Sequence, residues 1–557
     1  MRSVVVVVAL LLGCASGPAG EVRYQNSSPV WRVDDRRSIP KPKARDAGGA
    51  PDDFDALLRR PLLDAFGVSP RPLAWNVNAL GGVPDSSWFQ NRIGIRTLSA
   101  AEVARGPGGS GPSRDAPWSV TELEIFGPVL RLLIEDARGD RHFLKLDFLG
   151  HPEGESGADV VTQRLLWAAG YNVPEDHVVY FRPEDLRVGE GAEQVDGEGN
   201  EVPLTAASLQ RIVHAMRRAA ADGVHVRALA SKYLPGEPVG GYAMSGIRPD
   251  DANDLVPHQH RRDVRGLRVF FSWLGTTDVK ENNTLDMWMP SARYPGRGHL
   301  VHYLIDFGKS LGNWGFHDEH AHEHDGFTPH IDYGYGLRSL LSFGLWKRPW
   351  EAIPQPPHRG VGRFESVRYR PDLYAPANPY EPFFYTDRED GFWAAQIIAR
   401  FRPEHVRAAV EEAKYSDRYT RAYLVRTLLE RRAKLLRYFL DRVTPLSHFR
   451  VEAAGGALRV CAVDLLISER LAHAYDTRYA VMAYDFEGDA LDFDRELAAG
   501  PDGELCVSGL PQPFAHDGYT VLAIGALRAG STRQPVRVHV AREPETGRPR
   551  VIGLQWR

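Results

Sequence analysis

The stretch from Asp278 to Gly308 constrains this chain more than any other. Asp278, Lys280 and Asn283 stand in the spacing Asp-x-Lys-x-x-Asn, in a polar loop that opens at Gly275. Two short strands are predicted after the loop, over 285–289 and 299–305, joined by a Pro/Gly turn. The second strand runs into Asp306-Phe307-Gly308. A hairpin between two polar motifs carries Asn283 and Asp306 to the same end of adjacent strands. A carboxylate and an amide oxygen gathered there are hard ligands for a divalent cation, and a nearby lysine supplies positive charge for a phosphate. Ahead of the loop, Val264, Leu267, Phe271 and Leu274 form one apolar stripe at helical spacing, so a helix is predicted over about 261–274.

The upstream order of elements bears on the same chemistry. Residues 119–135 read as strands with a turn at Gly127-Pro128, and Asp136-Ala-Arg-Gly-Asp140 is a hairpin signal. The strand over 142–147 carries Lys145 near its centre. A helix is predicted over 157–169, with Val161, Leu165, Leu166 and Ala169 on one face and Gly170 as its stop. A strand over 178–181, a helix over 204–222 and a strand over 224–234 follow.

A lysine strand, an Asp-x-Lys-x-x-Asn loop, a strand pair and Asp-Phe-Gly, in that order, resemble the catalytic core of the protein-kinase-like superfamily. The pattern Gly170-Tyr-Asn-Val173-Pro174 brings it closest to the HipA toxin kinases and the lipid-kinase-like branch. The resemblance covers about residues 118–312, with a helical remainder to about 443. It implies an α+β fold: a two-lobed kinase-like core, β-rich in its N-lobe and helical in its C-lobe. By resemblance Asp278 is the catalytic aspartate and Lys280 contacts the transferred phosphoryl group. Asn283 and Asp306 bind Mg²⁺, and Lys145 holds the α/β-phosphates of ATP. HipA-type sequences place a partner carboxylate for the lysine about eleven residues before the Gly-x-x-Val-Pro pattern, which lands on Asp159. The chain also departs from the pattern. It has no Gly-x-Gly-x-x-Gly, and Thr276-Thr277 stand where His-Arg usually precedes the aspartate. Two functional classes follow: an ATP/Mg²⁺-dependent phosphotransferase acting on an unknown hydroxyl, or a non-catalytic, pseudokinase-like binding or scaffolding protein.

Just beyond Asp-Phe-Gly lies a histidine-rich run with His317, His320, His322, His324 and His330. Imidazoles beside carboxylates suit Zn²⁺, Ni²⁺ or Cu²⁺, so His320, His322 and His324 are candidate transition-metal ligands; a solvated, pH-sensitive loop is the alternative. No His-Glu-x-x-His or Gly-x-Ser-x-Gly occurs. The basic cluster His258, His260, Arg261, Arg262, Arg265 and Arg268 reads as a surface face paired with Asp250, Asp251 and Asp254; a site for an acidic substrate or phosphate is the alternative.

The N-terminus is an address. Met1-Arg2 precedes an apolar run too short to span a bilayer, ending in Leu11-Leu12-Gly13-Cys14. Residues 1–14 resemble a bacterial lipoprotein signal, which implies removal before Cys14 and lipidation of its thiol. Ala15 after the cysteine resembles outer-membrane sorting, so the expected location is the bacterial cell envelope, lipid-anchored, with the bilayer as partner. Residues 15–50, rich in Gly, Pro, Ser and Arg, read as a flexible tether. A net charge of −4 leaves no basic footprint for nucleic acid.

Residues 51–236 are then an N-terminal extension and N-lobe, and 237–446 a helical C-lobe with helices over 389–401, 403–414 and 417–442. After Pro445 the texture changes to short strands between Gly/Asp/Pro turns, which makes 447–557 a small, all-β, sandwich-like domain. Three cysteines are too few for a disulfide scaffold. Cys461 and Cys506 both fall on its strands; an oxidising compartment would join them, and buried free thiols are the alternative.

Overall fold

The computed structural model describes residues 22–46, 59, 72–115, 117–126, 129–147, 151–195, 200–220, 222–313, 333–346, 356–454, 457–510 and 516–556. Cys14 and the histidine-rich run, with His320, His322 and His324, lie outside them. The chain is mixed α+β and divides into two compact units. The larger comprises 30–445 and 465–472; the smaller comprises 446–464 and 473–556 together with the described N-terminal residues up to 29.

The larger unit holds two sheets. Its short strands include β1 (Ile39–Pro40), and its long ones begin with β2 (Trp118–Phe126), β3 (Val129–Glu135) and β4 (Arg141–Leu146). After these come β5 (Asp176–Phe181), β6 (Leu186–Val195), β7 (Glu201–Pro203) and β8 (Val226–Lys232). Strands β2–β8 form one seven-stranded sheet in the order β5-β8-β4-β3-β2-β6-β7. The β3–β4 turn is closed by Asp136, whose Oδ1 accepts the backbone N–H groups of Arg138 and Asp140 at 2.8 and 3.0 Å. Alternate residues Val120, Leu132, Ile134 and Leu144 are buried in one core with Phe181, Val213 and Met216. The second sheet adds β9 (Glu237–Pro238), β10 (Thr284–Pro290) and β11 (Arg297–Leu304), in the order β1-β11-β10-β9. In the β10–β11 hairpin, Thr284 pairs with Leu304, so the residues on either side of the hairpin emerge together.

Among the described residues the helices of six residues or more are α1 (Ala100–Arg105), α2 (Gly154–Ala169), α3 (Ala206–Ala219), α4 (Arg262–Leu274) and α5 (Tyr333–Leu341), then α6 (Arg388–Ala399), α7 (Pro403–Glu412) and α8 (Arg418–Leu440). α2 is buried on nearly every side, including Asp159, Gln163 and Arg164. α4 ends where Gly275 turns left-handed at φ +64°, a conformation that side chains with a Cβ rarely adopt. Among the described residues no helix is long and apolar enough to cross a membrane.

Two expectations change here. The basic cluster at α4 is not a surface face. Arg262 and Arg265 are buried on Asp390 of α6 at 3.0 and 3.4 Å, and Arg262 also meets Glu389 at 3.1 Å. His258 keeps an expected partner, Asp254, at 2.7 Å. Residues 22–46, read as part of a tether, are hydrogen-bonded. Ile39 pairs with Gly298 as an edge strand. In the smaller unit, the Tyr24 hydroxyl donates to the Leu554 carbonyl at 3.1 Å. Its ring lies where a Cβ on Gly553 would come within 2.1 Å, so only glycine admits it. Low hydrophobicity hid this segment, because edge pairing and single aromatic anchors need little apolar surface.

The smaller unit is all β: β12 (Leu446–Ala454), β13 (Ala457–Asp464), β14 (Arg478–Tyr484), β15 (Ala490–Ala498), β16 (Glu504–Leu510), β17 (Thr520–Arg528), β18 (Ser531–Thr532), β19 (Val536–Arg542) and β20 (Pro549–Gln555). These make two antiparallel sheets, β12-β13-β16 and β15-β14-β17-β19-β20, with β18 on β17. Cys461 and Cys506 pair in register on β13 and β16 and are joined as a disulfide. In a buried cluster, Asp464 accepts from both Tyr479 and Arg528, with Tyr479 Oη at 2.7 Å.

Candidate active site

A cavity of about 540 Å³ opens in the larger unit, in the size range of ligand pockets. Lys145, Asp159, Asp278, Lys280 and Asp306 all line it, so five of the six residues singled out for a phosphotransfer site converge there. The sixth, Asn283, shares an adjoining void of about 20 Å³ with Asp278, Lys280 and Asp306. Phe143, Leu229, Leu285, Met287 and Ile305 give the cavity an apolar wall.

The local chain explains the convergence. Lys145 stands on β4, between β3 and β8, paired with Arg131 and Leu229. Asp278 follows the left-handed stop at Gly275. The loop between them is tied down by the segment after Asp-Phe-Gly: the Thr277 amide donates to the Lys309 carbonyl at 3.0 Å, and the Thr276 and Ser310 hydroxyls lie 2.8 Å apart. The Tyr374 hydroxyl also donates to the Thr276 carbonyl at 2.7 Å. The two threonines therefore anchor the loop. Asn283 Nδ2 donates to the Asp278 carbonyl at 2.7 Å, and the Ile305 amide donates to the Asn283 carbonyl at 3.0 Å, which ties the loop to the end of β11. Asp306 itself sits at φ +62°, left-handed and unusual for a residue with a side chain. Strained backbone of this kind is held by its surroundings and clusters at functional sites.

The charges form a short chain of pairs. Lys145 Nζ meets Asp306 Oδ1 at 2.6 Å. Asp278 Oδ2 accepts from Lys280 Nζ at 2.9 Å and from Lys309 Nζ at 3.1 Å. Lys145 keeps 29% of its side chain exposed and Asp306 46%, so the pair is open to the cavity and to exchange. The Asp306 carboxyl is held below the usual range, chiefly by Lys145. Burial opposes ionisation of Asp278, yet Lys309 and then Lys280 keep its carboxyl below the usual range as well. Burial likewise opposes the charge on Lys145, but Asp306 and Asp159 raise its pKa above that of a free lysine.

Asp159 does not make the expected direct pair with Lys145. Its Oδ2 instead accepts the Phe307 amide at 2.9 Å. Aspartate is one methylene shorter than the glutamate usual at this place, and from α2 it reaches the Asp-Phe-Gly backbone. Burial and the neighbouring Asp176 push the Asp159 carboxyl well above the usual range. Burial raises the Asp176 carboxyl as well. Glu155, one turn before Asp159, also lines the cavity, and burial pushes it up to about 7.

Lys309, Glu155 and Asp176 are among the cavity residues that the motifs do not foresee. Lys309 is the clearest, because it directly follows Asp-Phe-Gly and supplies the second cation on Asp278. Its adjacency to the motif is a usable signal. Glu155 and Asp176 have none, since only the packing of α2 against β5 and β8 brings them to the cavity. Among the described residues no group of three or more His, Cys, Asp or Glu is arranged to hold a metal by protein ligands alone.

No known family model matches the chain, and no curated protein does. Two solved structures share a likeness with it. One is described as the Golgi casein kinase: it is 9% identical, with a TM-score of 0.26, and the match covers 62% of this chain and 76% of that one. The other is the Golgi casein kinase with Mn/ADP bound, 9% identical with a TM-score of 0.21 over 55% of this chain and 76% of that one. At those scores the functional reading rests on the residues of the cavity.

Proposed function

We propose that this chain is an exported, lipid-anchored phosphotransferase with a two-lobed, protein-kinase-like core, which transfers phosphate from a nucleotide triphosphate to a hydroxyl. One observation carries the reading: Lys145, Asp278 and Asp306, far apart in sequence, line one cavity that also has an apolar wall. That wall, from Phe143 to Ile305, suits the flat face of a nucleotide base. Lys145, Lys280 and Lys309 offer cations to its phosphates.

The donors fit Mg²⁺ or Mn²⁺. Asp306 offers a carboxylate and Asn283 an amide oxygen, both hard ligands, and such cations complete their shell with water and substrate phosphate. That division agrees with the lack of a closed protein cage among the described residues. Bound there, the cation supplies charge neutralisation on the transferred group. Asp278 orients the acceptor hydroxyl and takes its proton. Lys280 and Lys309 hold that carboxylate ionised and in place. Lys145, now on Asp306, is the cation that exchanges its carboxylate partner for phosphate oxygens.

The N-terminal sequence supports export and anchoring at Cys14 in the envelope of a bacterium, outer membrane favoured. A second reading, a non-catalytic binding or scaffolding lipoprotein, is favoured by the two lysines that already saturate one oxygen of Asp278. Thermal shift with ATP and Mg²⁺ or Mn²⁺, wild type against Asp306→Ala, tests nucleotide binding. A metal-dependent rise in melting temperature confined to wild type is expected, and none in wild type overturns the proposal. Nucleotide binding without any hydrolysis or transfer selects the second reading.

A further inference from the structure

Helix α5 presents an apolar face to solvent. Leu337, Leu340 and Leu341, at i, i+3 and i+4, share that face, and Leu340 and Leu341 are 75% and 72% exposed. Just past the helix, Phe343 is 94% and Leu345 84% exposed. Phe343 and Gly344 both turn left-handed, at φ +52° and +78°, which stops the helix and folds the chain back. Trp346 returns to the other face: its amide donates to Ser342 Oγ at 2.9 Å, Arg338 lies over its ring at 5.2 Å, and Tyr335 is its ring neighbour at 6.0 Å. The fold-back covers the aromatic side and leaves the leucines and Phe343 facing water.

Contiguous exposed leucines and phenylalanine of this kind mark an interaction surface. The charge pattern points to its chemistry. From Tyr333 to Trp346 there is no acidic residue, and the one charge is Arg338; Asp332 directly precedes and Lys347 and Arg348 directly follow in the sequence, which leaves the stretch net basic. The chain as a whole carries a net charge of −4, so this basic, apolar stretch stands out against its background. Leucine and aromatic residues on one side with flanking Arg and Lys is the composition of a helix that lies in a membrane interface. At nine residues α5 is far too short to span one.

We propose that α5 and its turn, Leu337 to Leu345, dock flat on an anionic bilayer surface, with Leu337, Leu340, Leu341 and Phe343 inserted among the acyl chains. Arg338 stays at headgroup level. The contact is separate from any lipid on Cys14: it is reversible and holds the larger unit against the membrane, whereas the anchor only tethers the N-terminus. It extends the envelope reading, and the two fail separately because the test removes the lipidation site.

The experiment uses the full chain carrying Cys14→Ser, with and without the triple change Leu337→Glu/Leu340→Glu/Leu341→Glu. Partition onto phosphatidylglycerol vesicles and onto phosphatidylcholine vesicles is measured by co-sedimentation. The N-terminal segment contributes equally to both proteins, so the difference between them reports on α5. Loss of three inserted leucines is expected to weaken partition onto phosphatidylglycerol by roughly tenfold or more. The melting temperature should stay unchanged, because the altered side chains are exposed. Equal partition of the two proteins overturns the proposal, as does equal partition onto both lipids. Light scattering that shows a dimer abolished by the triple change, with no vesicle binding, also overturns it in favour of a second copy of the chain. If the triple variant does not fold, Phe343→Ser takes its place: several-fold weaker partition is expected, and unchanged partition overturns the proposal.

Discussion

Two groups of ion pairs in the larger unit are built from similar residues and behave differently. Around the cavity, Lys145, Lys280 and Lys309 meet Asp278 and Asp306, and the three lysines keep 29–40% of their side chains exposed. Along α4 and β10–β11, Arg248, Arg262 and Arg265 meet Asp286 and Asp390 with 0–7% exposure. The buried group is closed by further bonds. Arg265 donates to the carbonyls of Gln259 and Pro72 at 2.7 and 2.9 Å as well as to Asp390. Asp286 also accepts from His302, whose ring stacks on Trp88 at 3.7 Å between centroids. Guanidinium forks engaged on several arms fix geometry. Partly exposed lysines beside carboxylates hold charge that a ligand can take over. Burial and the number of bonds on each cation separate scaffold from site.

That contrast can be broken by experiment. Asp278→Ala is expected to lower phosphotransfer or nucleotide hydrolysis by roughly 10²–10⁴-fold, the usual cost of removing a positioned acid–base group, while the urea midpoint barely moves. A comparable loss of stability would mean that Asp278 belongs to the scaffold. Asp390→Ala should do the reverse. It leaves Arg265 buried without its carboxylate and Arg262 with Glu389 alone, at a cost of about 3–5 kcal/mol by urea unfolding. A cost near that of an exposed substitution would sink the assignment.

Glu155 gives a pH test of smaller size. Its pKa is raised by burial from an ordinary 4.5 to about 7, so the folded chain takes up a proton between those values. Stability from this group therefore declines as pH rises through that window and stays lowered above it. Glu155→Gln removes the decline: the variant should gain stability over wild type on going from about pH 5 to about pH 8, by at most about 3 kcal/mol. Melting curves at the two pH values check this, and a pH-independent difference contradicts it. Lys309→Ala carries the smallest effect. Losing one of two cations lets the Asp278 carboxyl rise, so the acid limb of the pH–rate profile shifts upward by roughly one unit or less. A profile that stays put would show that Lys280 alone sets the charge on Asp278.

Much of the core was legible because local signals agreed. The stripe Val264, Leu267, Phe271 and Leu274 became α4 over Arg262–Leu274, and the strand around Lys145 became β4 over Arg141–Leu146. The polar turn between β10 and β11 needed only Pro and Gly. Elements without a strong period were missed. β15, Ala490–Ala498, alternates weakly because much of it is exposed, and β6 pairs in parallel with β2 across a register shift. α5 escaped because its leucines face solvent, so its period carried no expectation of a core. Asp159, one methylene shorter than glutamate, left the pair with Lys145 open in the sequence, and its bond to the Phe307 amide is a tertiary contact that spacing along a helix does not report.

By itself the sequence determined which side chains carry charge and in what order they arrive. The motif Asp-x-Lys-x-x-Asn, the hairpin after it and Asp-Phe-Gly are local, and hairpin geometry alone joins their ends. Tertiary structure decided the partners. It put Lys145 on Asp306 rather than on Asp159, added Lys309 to Asp278, and buried the α4 arginines on Asp390. Those choices depend on how α2, β4 and α6 pack, most of them across long separations in the chain. Pairing strength there is set by burial and reach, which no short window of sequence contains.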